Sequence, residues 1–328
     1  MKTNLWRCLA AALLAAATCA PLALAQGMAQ NFPDRPVRIL VGYSPGGLPD
    51  TVARIVAQKL SEKWKQQVVV ENRPGANGNI AADFVAKAPP DGYTLLVTDN
   101  STTAIIPFLF AKLPFDPDKD LVPVAMLARA PLFLAVHSSV PVNTFQELIA
   151  LVKSKPGQYS YGSSGIGSTH HLCMEFLKSS LGLEMTHVPF KGTGQSVPAL
   201  VGGQIPMVFS AFPSLSAYAK DGRIKLLAAN SAKRAVFAAN IPAIAETIPG
   251  FDFAPTVGIF APRGASRELV NKINADALDA VKQVDTAARM LAVGVEVEAM
   301  TPEEYAASLK ADAERYSRAV KISGVKAE

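Results

Sequence analysis

The feature that most constrains the fold is an alternation of short apolar runs with longer amphipathic stretches along nearly the whole chain. The short runs have the β-branched composition of strands, and the longer stretches place apolar residues at helical spacing. The predicted strands cover residues 37–41, 68–71, 94–98, 122–127, 132–137, 159–162, 207–210, 224–229 and 257–261. The predicted helices cover residues 51–64, 79–87, 145–155, 169–181, 196–202, 215–221, 267–284 and 302–320. Such alternation is typical of parallel sheets covered by helices, so the sequence predicts an α/β fold with mostly parallel sheets.

Apolar runs continue through two regions in which a domain boundary could lie, around residues 124–137 and 253–261. Two crossings indicate that the chain leaves one domain, builds a second and returns to the first. We therefore predict a discontinuous first lobe, residues 32–127 and 256–328, and a second lobe, residues 128–255. The last helices would then complete the first lobe.

The amino terminus has the pattern of a secretory signal peptide. Lys2 and Arg7 precede an Ala/Leu-rich core, and the tripeptide Ala23-Leu24-Ala25 suits a signal peptidase. We predict cleavage after residue 25, with residue 29 as the alternative. The expected location is the periplasm, without stable membrane insertion, and a retained anchor is the competing interpretation.

The composition of the remaining chain excludes several classes of protein. Of the three cysteines only Cys173 would survive cleavage, so no internal disulfide can form. Its 32 basic and 27 acidic residues, counted over the whole chain, are interspersed and offer no stripe for a nucleic acid. No later run reaches the roughly 18 apolar residues of a membrane span.

A glycine-rich turn, Ser44-Pro45-Gly46-Gly47-Leu48-Pro49-Asp50, joins the first predicted strand to the first predicted helix. Backbone N–H groups at a helix start have no partner within the helix, and the helix dipole adds positive charge there. A small anion can bind at such a turn without a cationic side chain. For Asp50 we favour a role in shaping the loop over direct contact with a ligand, because a carboxylate can accept the free amides of a first helical turn.

A second turn of this kind covers residues 162–169 and precedes the predicted helix 169–181. Two anion-binding turns in a secreted chain predict capture of a small carboxylate or phosphate between two lobes. The first turn lacks the third glycine of a dinucleotide motif. In the second turn Gly162 and Gly167 have Walker spacing, but Ser168 stands where the lysine should be, so a bound nucleotide is disfavoured.

Two other interpretations of the second turn, a hydrolase site and a metal site, compete with the binding of an anion. Ser163 or Ser164 could pair with His170 or His171 in a hydrolase, although adjacent helical residues point about 100° apart and at most one histidine can face the loop. His171 and Glu175 share a helical face but lack the other ligands of a metal site. We predict no metal, no cofactor and no enzymatic activity.

Several segments, taken together and in order, resemble one family. They are FPDRPVRI at residues 32–39, PGGLPD at 45–50, VVENRPGA at 69–76, APPDGYTL at 88–95, SSGIGSTHHL at 163–172, HVPFKG at 187–192 and APRG at 261–264. The chain is similar in these segments to the Bug, or TctC-like, solute receptors of tripartite tricarboxylate transporters. The resemblance covers essentially the whole mature chain.

The resemblance implies a two-lobed periplasmic binding protein of type II-like architecture, with a ligand cleft between the lobes. It implies that backbone amides and hydroxyls of three loops hold a small carboxylate, and that His171 supports a loop. The implied ligand-binding residues are Ser44, Gly46, Gly47 and Asp50 in the first loop, Thr98, Asn100 and Ser101 in the loop after the third strand, and Ser163, Gly165, Gly167, Ser168 and Thr169 in the second lobe.

The implied partners are a small carboxylate and the membrane permease subunits of a transporter. The carboxylate could be a dicarboxylate, a tricarboxylate, an amino acid or an aromatic acid, and the receptor is expected to be a monomer. Docking of the loaded receptor on a membrane sensor kinase, and a secreted serine hydrolase, are the alternatives.

Overall fold

A computed structural model describes residues 32–75, 78–110 and 112–325. The predicted signal peptide, residues 1–25, lies outside the described residues. The strands are β1 Val37–Val41, β2 Val68–Asn72, β3 Thr94–Asp99, β4 Leu121–Arg129, β5 Leu132–His137, β6 Tyr159–Ser163, β7 Met185–Pro189, β8 Met207–Ala211, β9 Ile224–Ala229, β10 Thr256–Pro262 and β11 Glu296–Met300.

Helices separate most of these strands. They are α1 Leu48–Trp64, α2 Asn79–Ala86, α3 Ser101–Ala104, α4 Ile106–Leu109, α5 Pro117–Asp120, α6 Phe145–Ser154, α7 Thr169–Leu181, α8 Thr193–Val201, α9 Phe212–Lys220, α10 Arg267–Lys282, α11 Val284–Ala292 and α12 Pro302–Ser323. Two single-turn 3₁₀ helices, Val236–Ala238 and Ile244–Glu246, follow β9. Among the described residues, no helix is both long and apolar enough to cross a membrane.

The strands form two sheets, and the prediction of an α/β fold built on two sheets is confirmed. The first sheet has the order β11-β4-β10-β3-β1-β2, and the second has the order β7-β6-β8-β5-β9. The chain passes from the first sheet to the second between β4 and β5, and it returns between β9 and β10.

Most strands of each sheet run in the same direction, as predicted, and a minority of reversed strands makes the pairing mixed. In the first sheet β1 pairs in parallel with β2 and β3, whereas β10 runs antiparallel to β3 and β4. In the second sheet β6 pairs in parallel with β7 and β8, whereas β5 runs antiparallel to β8 and β9. Of the reversed strands, β5 and β10 each follow a crossing, where the chain enters a sheet from the edge at which the other strands end. β11, which pairs antiparallel with β4, is also reversed and follows α11 within the first sheet.

Two strands that the sequence did not predict, β7 and β11, lie at the edges of their sheets. β11 is partly exposed along its whole length, and only the first residue of β7 is buried. An edge strand buries less apolar surface than a central one, so its sequence lacks the continuous apolar run that revealed the others. The predicted helix 267–284 is also divided, because Gln283 is extended between α10 and α11.

Both sheets bury side chains on their two faces. Ile39 and Leu40 are adjacent in β1 and belong to separate buried clusters, one on each face of the first sheet. Phe133 and Leu134 are adjacent in β5 and likewise belong to two separate clusters, one on each face of the second sheet. These pairs follow the two-residue period of a strand.

The last helix, α12, contributes to the cores of both sheets. Tyr305 near its start packs with the first sheet, whereas Tyr316 and Val320 near its end pack with β5 and α7. The sequence assigned residues 256–328 wholly to the first lobe. The lobe limits stay a prediction. The end of α12 lies in the predicted first lobe but packs against the core of the second sheet.

Candidate functional site

A cavity of about 580 Å³ lies where the carboxyl ends of strands from both sheets meet. In open α/β sheets this edge is the usual place for a ligand, because the loops that follow the strands converge there. Segments after β1 and β3 contribute Tyr43, Gly46, Gly47, Leu48, Pro49, Thr51, Asp99, Ser101, Ile105 and Ile106. Segments of the second sheet contribute Ser164, Gly167, Ser168, Thr169, His170, Gly192, Thr193, Ser210, Ala211, Pro213 and Ser214. The crossings and the loop before β11 contribute Ala130, Leu132, Pro255, Val293, Gly294 and Val295.

The cavity brings together about half of the residues that the sequence proposed as ligand contacts. Those that line it are Gly46, Gly47, Ser101, Gly167, Ser168 and Thr169. Those that lie in the same loops but do not line it are Ser44, Asp50, Thr98, Asn100, Ser163 and Gly165. Contact of any of these residues with a ligand stays a prediction.

Asp50 stabilises the first turn from behind. Its carboxylate accepts the Gly46 N–H at 2.8 Å, the Asn72 Nδ2 at 2.8 Å and the Arg54 Nε at 3.0 Å. Burial raises the pKa of this carboxyl, but the hydrogen bonds from Arg54, Gly46 and Asn72 outweigh burial and lower the pKa overall. These contacts agree with the role in shaping the loop that the sequence favoured.

Gly46 and Gly47 bring the backbone of the first turn to the cavity. Gly46 has a φ of +81°, in the left-handed region that favours glycine. Gly47 is the residue before α1 and has an ordinary extended conformation. A Cβ at Gly47 would lie 3.3 Å from the Ser44 carbonyl oxygen, so this position has little room for a side chain.

The loop after β3 divides its polar residues between the core and the cavity. Asn100 is buried and donates to Asp312 Oδ2 at 2.7 Å, which fixes α12 against this loop. Thr98 is buried as well and its hydroxyl contacts that of Thr102 at 2.7 Å. Ser101 lines the cavity, and its Oγ lies 3.3 Å from Thr169 Oγ1 of the second lobe.

Asp99 is a cavity residue that the sequence reasoning missed. Its Oδ1 accepts the Tyr43 hydroxyl at 2.8 Å and the Ser101 N–H at 3.0 Å. Burial raises the pKa of Asp99, although these hydrogen bonds oppose the shift. Its position as the last residue of β3 was the signal that could have found it, because residues at the carboxyl ends of strands reach this edge.

The second turn presents two free amides at the start of α7. Ser168 caps the helix by accepting the His171 N–H at 3.3 Å, and it donates to the Gly165 carbonyl at 2.7 Å. In the part of the chain that the structure describes, the N–H groups of Thr169 and His170 make no hydrogen bond. Because both residues line the cavity, a bound anion can accept from these amides.

Of the two adjacent histidines in this turn only His170 lines the cavity, which agrees with the prediction that at most one of them faces the loop. His170 lines the cavity, and burial lowers its pKa to about 4. His171 accepts the Gly167 N–H on Nδ1 at 3.1 Å and stacks on His187, with 3.8 Å between the ring centroids. The contact with Gly167 favours the predicted role of His171 as a support for the loop.

Serine–histidine pairs are present in the second turn, and within the described residues neither histidine is hydrogen-bonded to a carboxylate. Ser163 contacts His187 Nε2 at 2.7 Å and has no exposed surface. Ser164 contacts His170 Nδ1 at 2.8 Å beside the cavity. Among the described residues no carboxylate binds His170, and a pKa near 4 makes this imidazole a weak base at neutral pH.

Ser210, near the end of β8, is a second cavity residue that the sequence missed. It is fully buried, and its hydroxyl has no hydrogen-bond partner in the described ranges. A buried hydroxyl without a partner is costly, so it favours a ligand atom nearby. Its place within an apolar strand, predicted as 207–210, gave no sign of this role.

The remaining walls are mostly apolar and carry no basic side chain. Ile105, Ile106, Leu132, Pro255 and Val293 lie among the lining residues. None of the described residues that line the cavity is lysine or arginine. Within the same described ranges, no three His, Cys, Asp or Glu side chains are grouped so as to hold a metal ion. Backbone amides and hydroxyls are therefore the groups available to an anion.

The sequence of this chain matches a known family of receptors. The family model TctC, described as the Tripartite tricarboxylate transporter family receptor, matches residues 52–325. Protein BugT of Bordetella pertussis is 30% identical over 300 residues, which cover 91% of this chain and 92% of that protein. A protein encoded in the tcbD-tcbE intergenic region of Pseudomonas sp. strain P51 is 34% identical over 292 residues, covering 88% and 86% of the two chains.

Solved structures give the same result for the fold. A protein of R. palustris with adipate superposes with a TM-score of 0.79 at 32% identity, covering 90% of this chain and 99% of that one. MatC from Rhodopseudomonas palustris with bound malate gives 0.74 at 32% identity, covering 88% and 100%. The periplasmic binding protein BugD gives 0.75 at 28% identity, covering 90% and 100%. The two-lobed binding-protein fold and the family resemblance that the sequence motifs indicated are thereby confirmed.

Proposed function

Because the chain belongs to the family of tripartite tricarboxylate transporter receptors, we propose that it captures a small carboxylate between its lobes. It delivers this ligand to the membrane permease subunits of a transporter. Residues 1–25 direct it to the periplasm and are removed. It acts as a monomer and changes no covalent bond of its ligand.

The observation that carries this proposal is the pair of free amides at the start of α7. Thr169 and His170 offer N–H groups at the positive end of a helix, beside the glycine turn before α1. Ser168 and Ser101 add hydroxyls, and no lysine or arginine lines the cavity in the described residues. This set of donors suits a carboxylate, which accepts several hydrogen bonds at once.

Two relatives support the class of ligand. The R. palustris neighbour was solved with adipate and MatC with malate, and both are small carboxylates. The cavity of this chain, about 580 Å³, is within the range of small-molecule sites. Its apolar walls suit a ligand whose middle is hydrocarbon.

Closure of the lobes is the proposed mechanism of capture. Ligand contacts on both sides of the cavity exist together only when the lobes are close, so binding shifts the equilibrium toward the closed form. The Ser101 and Thr169 hydroxyls, 3.3 Å apart, also join the loop after β3 to the start of α7, so this contact too requires the two sides to be close.

The test is a thermal-shift screen of the mature protein after unfolding, dialysis and refolding, which remove any ligand that co-purifies. The panel contains dicarboxylates, tricarboxylates, amino acids and aromatic acids. A ligand at 100 times its dissociation constant should add about 2.7 kcal/mol to the free energy of unfolding. Stabilisation by one class of acid supports the proposal, and a flat response to every acid contradicts it.

A further inference from the structure

Asp99 is the one carboxylate among the described residues that line the cavity. From its contacts we propose that the ligand is an α-amino acid whose ammonium group binds Asp99. This inference rests on the proposed function, because it names the class of carboxylate that the cavity selects.

The charge of Asp99 has no cationic partner in the described part of the protein. Three other carboxylates of low exposure are all paired: Asp50 with Arg54 at 3.0 Å, Asp276 with Lys63 at 3.0 Å and Asp312 with Arg315 at 3.0 Å.

No ion pair involving Asp99 is found in residues 32–75, 78–110 and 112–325. Partly buried charges are normally paired because removal from water is costly. A ligand that carries a positive group would supply the missing partner.

The hydrogen bonds of Asp99 orient it while leaving room for another donor. Tyr43 and the Ser101 N–H both donate to Oδ1. An ionised carboxylate has about four acceptor sites over its two oxygens, so Oδ2 retains capacity for an ammonium. Because Tyr43 also lines the cavity, its phenol holds Asp99 at the wall.

Ser101 connects the Asp99 carboxylate with the start of α7. Asp99 binds the Ser101 backbone, and the Ser101 hydroxyl lies 3.3 Å from that of Thr169, where the free amides of α7 begin. A ligand with both charged groups on one carbon atom can therefore bind Asp99 and the helix start at the same time. That arrangement is the one an α-amino acid presents.

The rest of the cavity suits the side chain of such a ligand. Ile105 and Ile106 follow this polar region in the chain, and Leu132 and Pro255 lie at the two crossings between the sheets. These residues form an apolar wall beside the charged groups. A plain dicarboxylate would instead place a second negative charge in a cavity that contains Asp99.

The experiment compares acids that differ only in the α-amino group. The pairs are L-leucine with 4-methylpentanoate, L-phenylalanine with 3-phenylpropanoate and L-glutamate with glutarate. Each is titrated calorimetrically into the refolded, ligand-stripped mature protein. For at least one pair, the amino acid should bind ten times or more tighter than its partner without the amino group.

The variant Asp99→Asn removes the charge and keeps an oxygen that can accept from Tyr43 and Ser101. It should weaken binding of the amino acid at least tenfold and leave its partner acid unchanged or tighter. Asp221→Asn, which removes an exposed carboxylate outside the cavity, is the matched control and should change neither affinity. The melting temperature of each unliganded variant verifies that it is folded.

The outcomes separate this inference from the proposed function. Equal or tighter binding of the acids without an amino group overturns the inference and leaves a carboxylate receptor. Unchanged preference in Asp99→Asn also overturns it, because the charge of Asp99 would then contribute nothing to recognition of the ammonium group. Failure of every acid, with or without the amino group, overturns both.

Discussion

The two glycine-rich turns on either side of the cavity use the same backbone device with different supports. The turn before α1 is held by the charged Asp50, which binds Gly46 and pairs with Arg54. The turn before α7 is held by neutral imidazoles, with His171 on Gly167 and His187 on Ser163. The backbone of a cavity-lining turn can thus be fixed by a charge or by stacked rings. The two turns should differ in their response to substitution and to acid.

The largest expected difference concerns one glycine from each turn. A Cβ at Gly167 would lie 2.6 Å from Leu109 Cδ1, and the φ there is +74°. Gly167→Val should therefore cost about 2 kcal/mol or more in the free energy of unfolding, since a left-handed conformation alone costs about 1–2 kcal/mol.

Gly47→Val should lower affinity about 100-fold or more and leave most of the stability, because its side chain blocks the approach of the ligand to backbone. Calorimetric titration and urea denaturation measure both quantities. Gly194→Val has open space around it and is the control. Undiminished affinity in Gly47→Val would remove the first turn from the site.

The next effect concerns the support of the first turn. Asp50→Ala leaves the Gly46 amide and the Arg54 guanidinium without their acceptor, which should reduce the free energy of unfolding by about 1–3 kcal/mol. Glu246→Gln, which weakens the exposed pair with Arg234, should cost clearly less stability than Asp50→Ala, because solvent-exposed ion pairs contribute little. If urea denaturation gives the same loss for both variants, Asp50 does not stabilise the turn as described.

Acid should weaken the second turn before the first. Burial lowers the pKa of His170 and of His187 to about 4, while unfolded histidine titrates near 6.5. Between these values the unfolded chain binds more protons, so stability falls as the pH drops from about 6.5 to 4. The pKa of Asp50 is lowered, so its contribution persists until the pH falls below the usual aspartate range.

Melting temperatures at several pH values between 7.5 and 4.5 test this order. His187→Gln should lose less stability over that range than the natural protein, because one group that resists protonation is gone. His137→Gln, outside both turns, should behave as the natural protein does. Equal slopes for all three proteins would show that the imidazole support is not what acid disrupts.

The smallest expected effect on binding is that of a substitution at Ser210, which lines the same cavity as the two turns. If its hydroxyl binds the ligand, Ser210→Ala should weaken binding about 3- to 10-fold, the usual net value of one hydrogen bond. Stability without ligand should be unchanged or slightly higher, because a buried hydroxyl without a partner is removed. A loss of stability with unchanged affinity would show that this hydroxyl serves the fold.

The turns were predictable because their signals are local in sequence. Glycines between an apolar run and a helical pattern indicate a strand-to-helix turn, and both turns line the cavity. The predicted helix begins at residue 51, whereas α1 begins three residues earlier, at Leu48. The sequence pattern assigns Leu48 and Pro49 to the turn. Pro49 is compatible with a first helical turn, where its missing N–H has no role.

What the sequence missed depends on contacts between distant segments. His187 stacks on His171 and so supports the second turn. The residues around His187 in the sequence do not indicate that it lies beside His171. Ser163 and Ser164 are adjacent, yet one is buried behind the turn and the other lines the cavity. Asp99 stands between Thr98 and Asn100, which were proposed for the site, but only Asp99 faces the cavity.

The most direct test of the central claim is a calorimetric titration of the ligand-stripped mature protein with the acid that stabilises it most, followed by recovery of that acid. Capture at these turns predicts saturable binding of one acid per protein, an acid recovered unchanged, and affinity for Gly47→Val lower by about 100-fold or more. An acid that is chemically altered, or one that binds Gly47→Val as tightly as the natural protein, would contradict capture of a carboxylate at these turns.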